Sequence, residues 1–152
     1  MRALAERLSP PWLIITLVTI AIIWGNSLVP GTGSSGLSMA VVEAIRSFLD
    51  GFDIPSAWVT NFLIRKAAHF SEYAFLGIVA SQAFDRDRTR LPISIISTVA
   101  LLIVVPCMDE TIQLFVSGRS GQISDVLLDC TGAAVGMTCR YLWARRTSMG
   151  TA

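Results

Sequence analysis

The first stretch of the chain without charge sets the pattern. No Asp, Glu, Lys or Arg lies between Arg7 and Glu43. Within that gap, Trp12 to Val29 is apolar apart from Thr16, Thr19, Asn26 and Ser27. These 18 residues approach the length that crosses ~30 Å of hydrocarbon at ~1.5 Å per residue. Pro10 and Pro11 stand at the start, where a missing N–H breaks no helical bond, and Pro30-Gly31 closes the run. Arg2 and Arg7 would also suit the charged n-region of a signal peptide. No convincing small-x-small cleavage site follows the apolar run, so we read a retained span over residues 12–29.

Three more spans follow. Residues 64–84 carry Arg65, Lys66, His69 and Glu72 in their first half and none of these types later, until Asp85. Leu91 to Met108 is free of charge, then meets Asp109-Glu110, and the span is expected over 91–116. Residues 124–143 carry Asp125 and Asp129 near their start. In both charged spans the polar end would sit near an interface. The connections are read as a flexible Gly/Ser-rich turn at 30–38, a solvated charge run at 85–90 and a tight Ser-Gly-Arg-Ser-Gly turn at 117–121. Between spans one and two, Val41, Val42, Ile45, Phe48, Leu49 and Phe52 recur at helical spacing opposite Glu43, Arg46, Ser47 and Asp50. Residues 39–53 are therefore expected as a short amphipathic helix, either flat on the outer membrane surface or capping the bundle end.

Counting Lys and Arg orients the bundle. With both ends cytoplasmic, the inner side holds Arg2, Arg7, Arg86, Arg88, Arg90, Arg140, Arg145 and Arg146, and the outer side only Arg46, Arg65, Lys66 and Arg119. The expected fold is an all-α membrane protein: a four-transmembrane-helix bundle, N-in/C-in, forming one domain over residues 1–152. Composition agrees. Hydrophobic residues make up 53% and charged residues 15% of the chain, against about 25% charged in a soluble domain. A net charge of +1 excludes a strongly basic nucleic-acid binder. Cys107, Cys130 and Cys139 all fall in expected spans and read as free thiols acting as small apolar groups.

Helical spacing gathers the remaining charges. Arg65, His69, Glu72 and Leu76 share one helix face, with Lys66 and Tyr73 beside it. Asp109 and Glu110 stand four and three residues before Gln113, and Asp125, Asp129, Gly132 and Gly136 form one stripe. In the expected topology all three polar runs lie at one depth, in the outer leaflet. Ionised groups in hydrocarbon face the bundle interior with partners, so the runs are expected to converge there with Arg119. The acids Glu72, Asp109, Glu110, Asp125 and Asp129 outnumber Arg65, Lys66 and Arg119. Some acid must then be protonated, hydrated or paired with a bound cation. Two readings stay open: an ion-pair network gluing the spans, aided by Gly132 and Gly136, or a ligand or catalytic site built on that glue. No metal signature such as HExxH occurs, so no metal ligands are assigned and no cofactor is expected, with a divalent hard cation left open.

These residues resemble the VanZ-like family of small bacterial membrane proteins. The likeness rests on Arg65-Lys66-x-x-His69-x-x-Glu72-Tyr73, then Asp109-Glu110-x-x-Gln113, Gly118-Arg119, Asp125, Asp129, Gly132 and Gly136, in that order. Asn26-Ser27-Leu28-Val29-Pro30 resembles the family's end of the first span. Ile112 stands where many members have His, and Ser117 where many have Pro. The resemblance implies a single VanZ-like domain in the bacterial inner (cytoplasmic) membrane, multi-pass, in the cell envelope. Its named relative lowers susceptibility to the glycopeptide teicoplanin, which implies antibiotic resistance as a setting but no particular reaction.

Three functions remain open on the residues. In the first, Arg65, Lys66 and Arg119 hold the phosphate of an anionic headgroup, from a phospholipid or a polyprenyl-phosphate carrier. His69 would carry protons, and Glu72, Asp109 and Glu110 would act as acid or base, or hold a cation. Tyr73, Gln113, Asp125 and Asp129 complete that ligand-binding set. In the second, the protein is a non-enzymatic scaffold for envelope enzymes. In the third it is a small transporter, which charges confined to one leaflet argue against. Whether the protein is an enzyme stays open, and no nucleic-acid partner is expected.

Overall fold

The computed structural model describes residues 8–85 and 92–149. Among them are five α-helices and no strand: α1 Pro10–Ser27, α2 Gly31–Asp50, α3 Asn61–Phe84, α4 Pro92–Gln113 and α5 Ile123–Met149. Two are long and apolar enough to cross a membrane, α1 over Pro10–Ser27 and α4 over Ile93–Gln113. The charge run expected over 85–90 lies outside the described residues beyond Asp85.

Local chemistry explains the helix starts. Prolines occupy the first turn of α1, where a backbone donor has no helical acceptor. Thr60 caps α3 by accepting from the Leu63 N–H at 3.2 Å. Asp125 sits in the first turn of α5, where the helix dipole favours an anion. Pro106 interrupts α4 and cannot donate to the Leu102 carbonyl four residues back. The Cys130 thiol of α5 points at that same carbonyl at 3.8 Å. Cys130 thus serves as a hydrogen-bond donor across helices, a role that its reading as a small apolar group did not include.

α1, α3, α4 and α5 alternate in direction. At one end the Ser9 N–H donates to the Ala83 carbonyl at 3.0 Å, and Arg140 of α5 reaches Gln82 of α3 at 2.9 Å. At the other, Asn26 of α1 reaches Glu72 of α3, and Gln113 of α4 reaches Ser27 of α1. α3 and α5 form the closest pair. A Cβ at Gly132 or Gly136 would run into the carbonyls of Phe70 or Ala74, and one at Gly77 into the carbonyl of Ala133. Only hydrogen fits there, so the small residues set the distance at which the two helices pack.

The apolar helices bury their polar side. On α4, Ser94, Thr98, Leu102, Val105 and Asp109 are buried, while Ile93, Ile96, Ile103 and Val104 face out. On α1, Thr16 and Thr19 are buried and return their hydroxyl protons to the Trp12 and Ile15 carbonyls, each at 2.8 Å, while Ile14, Leu17, Val18 and Ile22 face out. This inverts the pattern of a water-soluble helix. It fits a solvent as apolar as the side chains themselves.

The region after α1 corrects the sequence reading. Residues 31–38 are helical rather than a flexible turn, and α2 runs from Gly31 to Asp50 rather than over 39–53. Packing overrides the poor helix propensity of Gly and Ser. The Gly31 N–H donates to the Ser117 carbonyl at 3.0 Å, and Gly31 lies so close to the Gly118 carbonyl that a Cβ would overlap it. Gly118 itself adopts φ 73°, a conformation that L side chains rarely take. At its far end α2 stops at Asp50, and Phe52 and Asp53 belong to a turn. α4 likewise ends at Gln113, short of the expected 116. One side of α2 packs inward through Val42, Arg46 (Nε to the Val59 carbonyl, 3.0 Å) and Ser38, which bonds Asn61. Leu37, Val41, Phe48 and Phe52 remain exposed.

Candidate functional site

The polar runs of α3, α4 and α5 meet at the end of the bundle where α1 and α4 finish and α3 and α5 begin. His69, Asp109, Glu110 and Asp129 each bring one ligand-type atom to within 4.8 Å of the others. Asp109 and Asp129 are fully buried, and Glu110 and Gln113 nearly so. Tyr73 is fully buried too, and its hydroxyl has no hydrogen-bond partner among the described residues.

Gln113 organises one side of this group. Its amide Nε2 donates to Glu110 Oε1 at 3.1 Å and approaches Asp109 Oδ2 and Ser27 Oγ, both at 3.4 Å. The Gln122 N–H donates to Glu110 Oε2 at 2.8 Å. That leaves Asp109 Oδ1 and both Asp129 oxygens without a hydrogen-bond partner among the described residues. His69 Nδ1 faces Asp129 Oδ1 at 3.7 Å, too far for a hydrogen bond.

The cations divide. Lys66 pairs with Asp125 and lies over the Phe62 ring at 5.2 Å. Arg119 donates through Nε to the Val29 carbonyl at 2.8 Å and through Nη2 to the Asn26 carbonyl at 2.7 Å. It thus adds a second donor to the Asn26 carbonyl, which already accepts from the Val29 N–H, and supplies one to Val29 just beyond α1, with its positive charge on the favourable pole of the helix dipole. Burial first, and then the charge of Arg65, push the Arg119 guanidinium below its ordinary value. Arg65 makes no hydrogen bond or ion pair with any described residue.

Two cavities open onto the group. One, of ≈ 290 Å³, lies between the end of α1, α2 and α3, and its polar lining includes Asn26, Arg65, His69, Glu72 and Arg119, with Ser34 and Ser38 of α2. Val29, Leu37, Val41 and Ile64 are its apolar lining. The other, of ≈ 240 Å³, is lined by Lys66, Gln113, Ser120, Gln122 and Asp125. Arg65 and His69 stand in the wall of both.

All eleven residues singled out in the sequence therefore sit at one end of the bundle, though in different positions. Arg65, His69, Glu72 and Arg119 share the first cavity, Lys66 and Asp125 close on each other, and Asp109, Glu110, Gln113, Asp129 and Tyr73 lie beneath. Sequence reasoning passed over Asn26 and Ser27 as site residues. Asn26 donates to Glu72 Oε1 at 3.1 Å. Two adjacent polar residues ending an apolar run were the available signal. Arg140, counted only as a charge in the orientation, is 8% exposed and bonds α3.

No curated protein and no solved structure matches this chain. The VanZ/LLP1 family model matches residues 12–144, which takes in both polar motifs and the glycine-packed pair α3 and α5. Together with the two apolar helices, that match supports a membrane protein, and the chain belongs to the VanZ-like family.

Proposed function

We propose that the protein is a multi-pass protein of the bacterial inner membrane that binds the headgroup of an anionic lipid at the outer leaflet. In this reading α1, α3, α4 and α5 span the bilayer, N-in/C-in, and α2 lies at the outer interface. The Lys/Arg bias of the flanks supports the orientation. The apolar surface that α2 and the turn after it leave exposed at Leu37, Val41, Phe48 and Phe52 suits the headgroup boundary.

One observation carries the ligand class. Arg65 stands in the wall of the ≈ 290 Å³ cavity with no protein partner among the described residues. A guanidinium is a planar fork matched to phosphate oxygens. Arg119 adds positive charge nearby while two of its nitrogens hold the end of α1. Val29, Leu37, Val41 and Ile64 give the same cavity apolar lining. A molecule with a phosphate at one end and hydrocarbon at the other matches both kinds of lining. Phospholipids and polyprenyl phosphates share that chemistry.

Native mass spectrometry of the gently extracted protein tests this. The wild type is expected to retain a phosphate-containing lipid whose mass tells the two sources apart. Arg65→Gln should lose it while accumulating normally. A wild type that releases bare, or that carries another protein instead, would reject the headgroup reading.

A further inference from the structure

We propose that His69, Asp109, Glu110 and Asp129 form a binding site for one divalent transition-metal ion. The four residues come from three helices, and their ligand-type atoms lie within 4.8 Å of one another. Donors held at ~2.0–2.2 Å by one ion lie about 3–4.4 Å apart. The His69 Nδ1 to Asp129 Oδ1 separation of 3.7 Å falls in that range, and a small contraction closes the rest.

A second observation points to a ligand. Asp129 is fully buried, and neither carboxylate oxygen meets a hydrogen-bond donor among the described residues. Buried carboxylates are ordinarily hydrogen-bonded, paired or bound to metal. Lys66, the cation of the neighbouring turn, is engaged with Asp125. Asp109 is half-satisfied: Gln113 approaches Oδ2, and Oδ1 is left open. Gln113 also fixes Glu110, so this amide orients two carboxylates for a common target, as outer-shell partners of metal ligands do. One imidazole with three carboxylates suits Mn²⁺, Fe²⁺ or Zn²⁺. An ion can enter along the ≈ 240 Å³ cavity, whose wall includes His69 and Gln113.

The site does not depend on the headgroup reading, and the two are measured apart. The full-length protein is extracted in detergent, stripped with EDTA and titrated with Mn²⁺ alone, with free Mn²⁺ followed by electron paramagnetic resonance. Lipid retention is read by mass spectrometry on the EDTA-treated sample. The wild type should take up one ion per chain, saturably, and Zn²⁺ should compete. Asp129→Asn and Asp109→Asn should each weaken uptake by more than about tenfold, and Gln113→Ala by roughly tenfold. Glu43→Gln, on the exposed face of α2, should match the wild type. If an Asp variant fails to accumulate, the wild-type isotherm and Gln113→Ala still decide. Absence of saturable uptake at millimolar Mn²⁺ would overturn the inference, as would equal affinity in wild type, Gln113→Ala and the Asp variants that accumulate.

Discussion

The two ends of the bundle bury charge in different ways. At the end near Ala83, Arg140 donates through Nε to Gln82 Oε1 at 2.9 Å and through Nη2 to the Asp85 carbonyl at 2.7 Å. Its remaining nitrogen faces the Asp85 carboxylate at 3.6 Å. One cation thereby joins α5 to the end of α3. At the opposite end Asp129, Asp109 Oδ1 and the Tyr73 hydroxyl are buried without hydrogen-bond partners among the described residues, and Arg65 faces a cavity. Each unsatisfied buried group costs ~1–3 kcal/mol. Arg140 Nη1 and Ser94 Oγ carry such a cost at the Arg140 end as well, but there a guanidinium faces a carboxylate, so joining helices does not require a surplus of buried acid. Three buried carboxylates gathered around one imidazole at the opposite end are the mark of a site that something else completes.

The comparison depends on α3 and α5, which carry both ends, so the largest effect is expected where they touch. Gly136→Leu would force a side chain into the Ala74 carbonyl. Overpacking of this kind costs ~1–3 kcal/mol or more, and membrane accumulation measured by immunoblot should fall severalfold at least. Next comes the Arg140 end. Arg140→Ala removes a buried partner of Asp85 and should lower stability by about 3 kcal/mol, read as thermal unfolding in detergent, with Mn²⁺ uptake unchanged. A smaller loss, about 1 kcal/mol, is expected for Arg119→Lys, which keeps the charge at the end of α1 but has one nitrogen for two carbonyls. The smallest lies between the ends. Cys130→Ala leaves the Leu102 carbonyl, already without a Pro106 donor, unpartnered across helices. It should cost at most about 1 kcal/mol, with Cys130→Ser nearer the wild type.

Much of the site was legible because helical spacing is rigid. Residues at i, i+4 and i+7 such as Arg65, His69 and Glu72 share a face, and charged groups in apolar helices have few places to go. The helices α1 and α4 were legible from continuous apolar runs. What escaped depends on contacts between distant segments. Residues 31–38 have the composition of a turn, and only the docking of Gly31 on Gly118 makes them helical. The division of labour among cations escaped as well. Nothing local distinguishes Arg119, bonded to the carbonyls of α1, from Arg65, which faces a cavity. The bonds of Arg140 escaped because its partners Gln82 and Asp85 lie far back in the chain.

The claim that one end is glue and the other a site is tested most directly by comparing the thermal stability of Asp129→Asn with that of the wild type, each in EDTA and each in Mn²⁺. Removing the charge of a buried group that no described residue hydrogen-bonds, and that only His69 faces, should leave the EDTA-treated variant at least as stable as the wild type, in contrast to Arg140→Ala. Mn²⁺ should then raise the wild type alone, by ~2.7 kcal/mol at a hundredfold excess over its dissociation constant. An Asp129→Asn protein several kcal/mol less stable than the wild type in EDTA, with neither protein responding to Mn²⁺, would contradict the account and make the polar cluster a structural network like the one at Arg140.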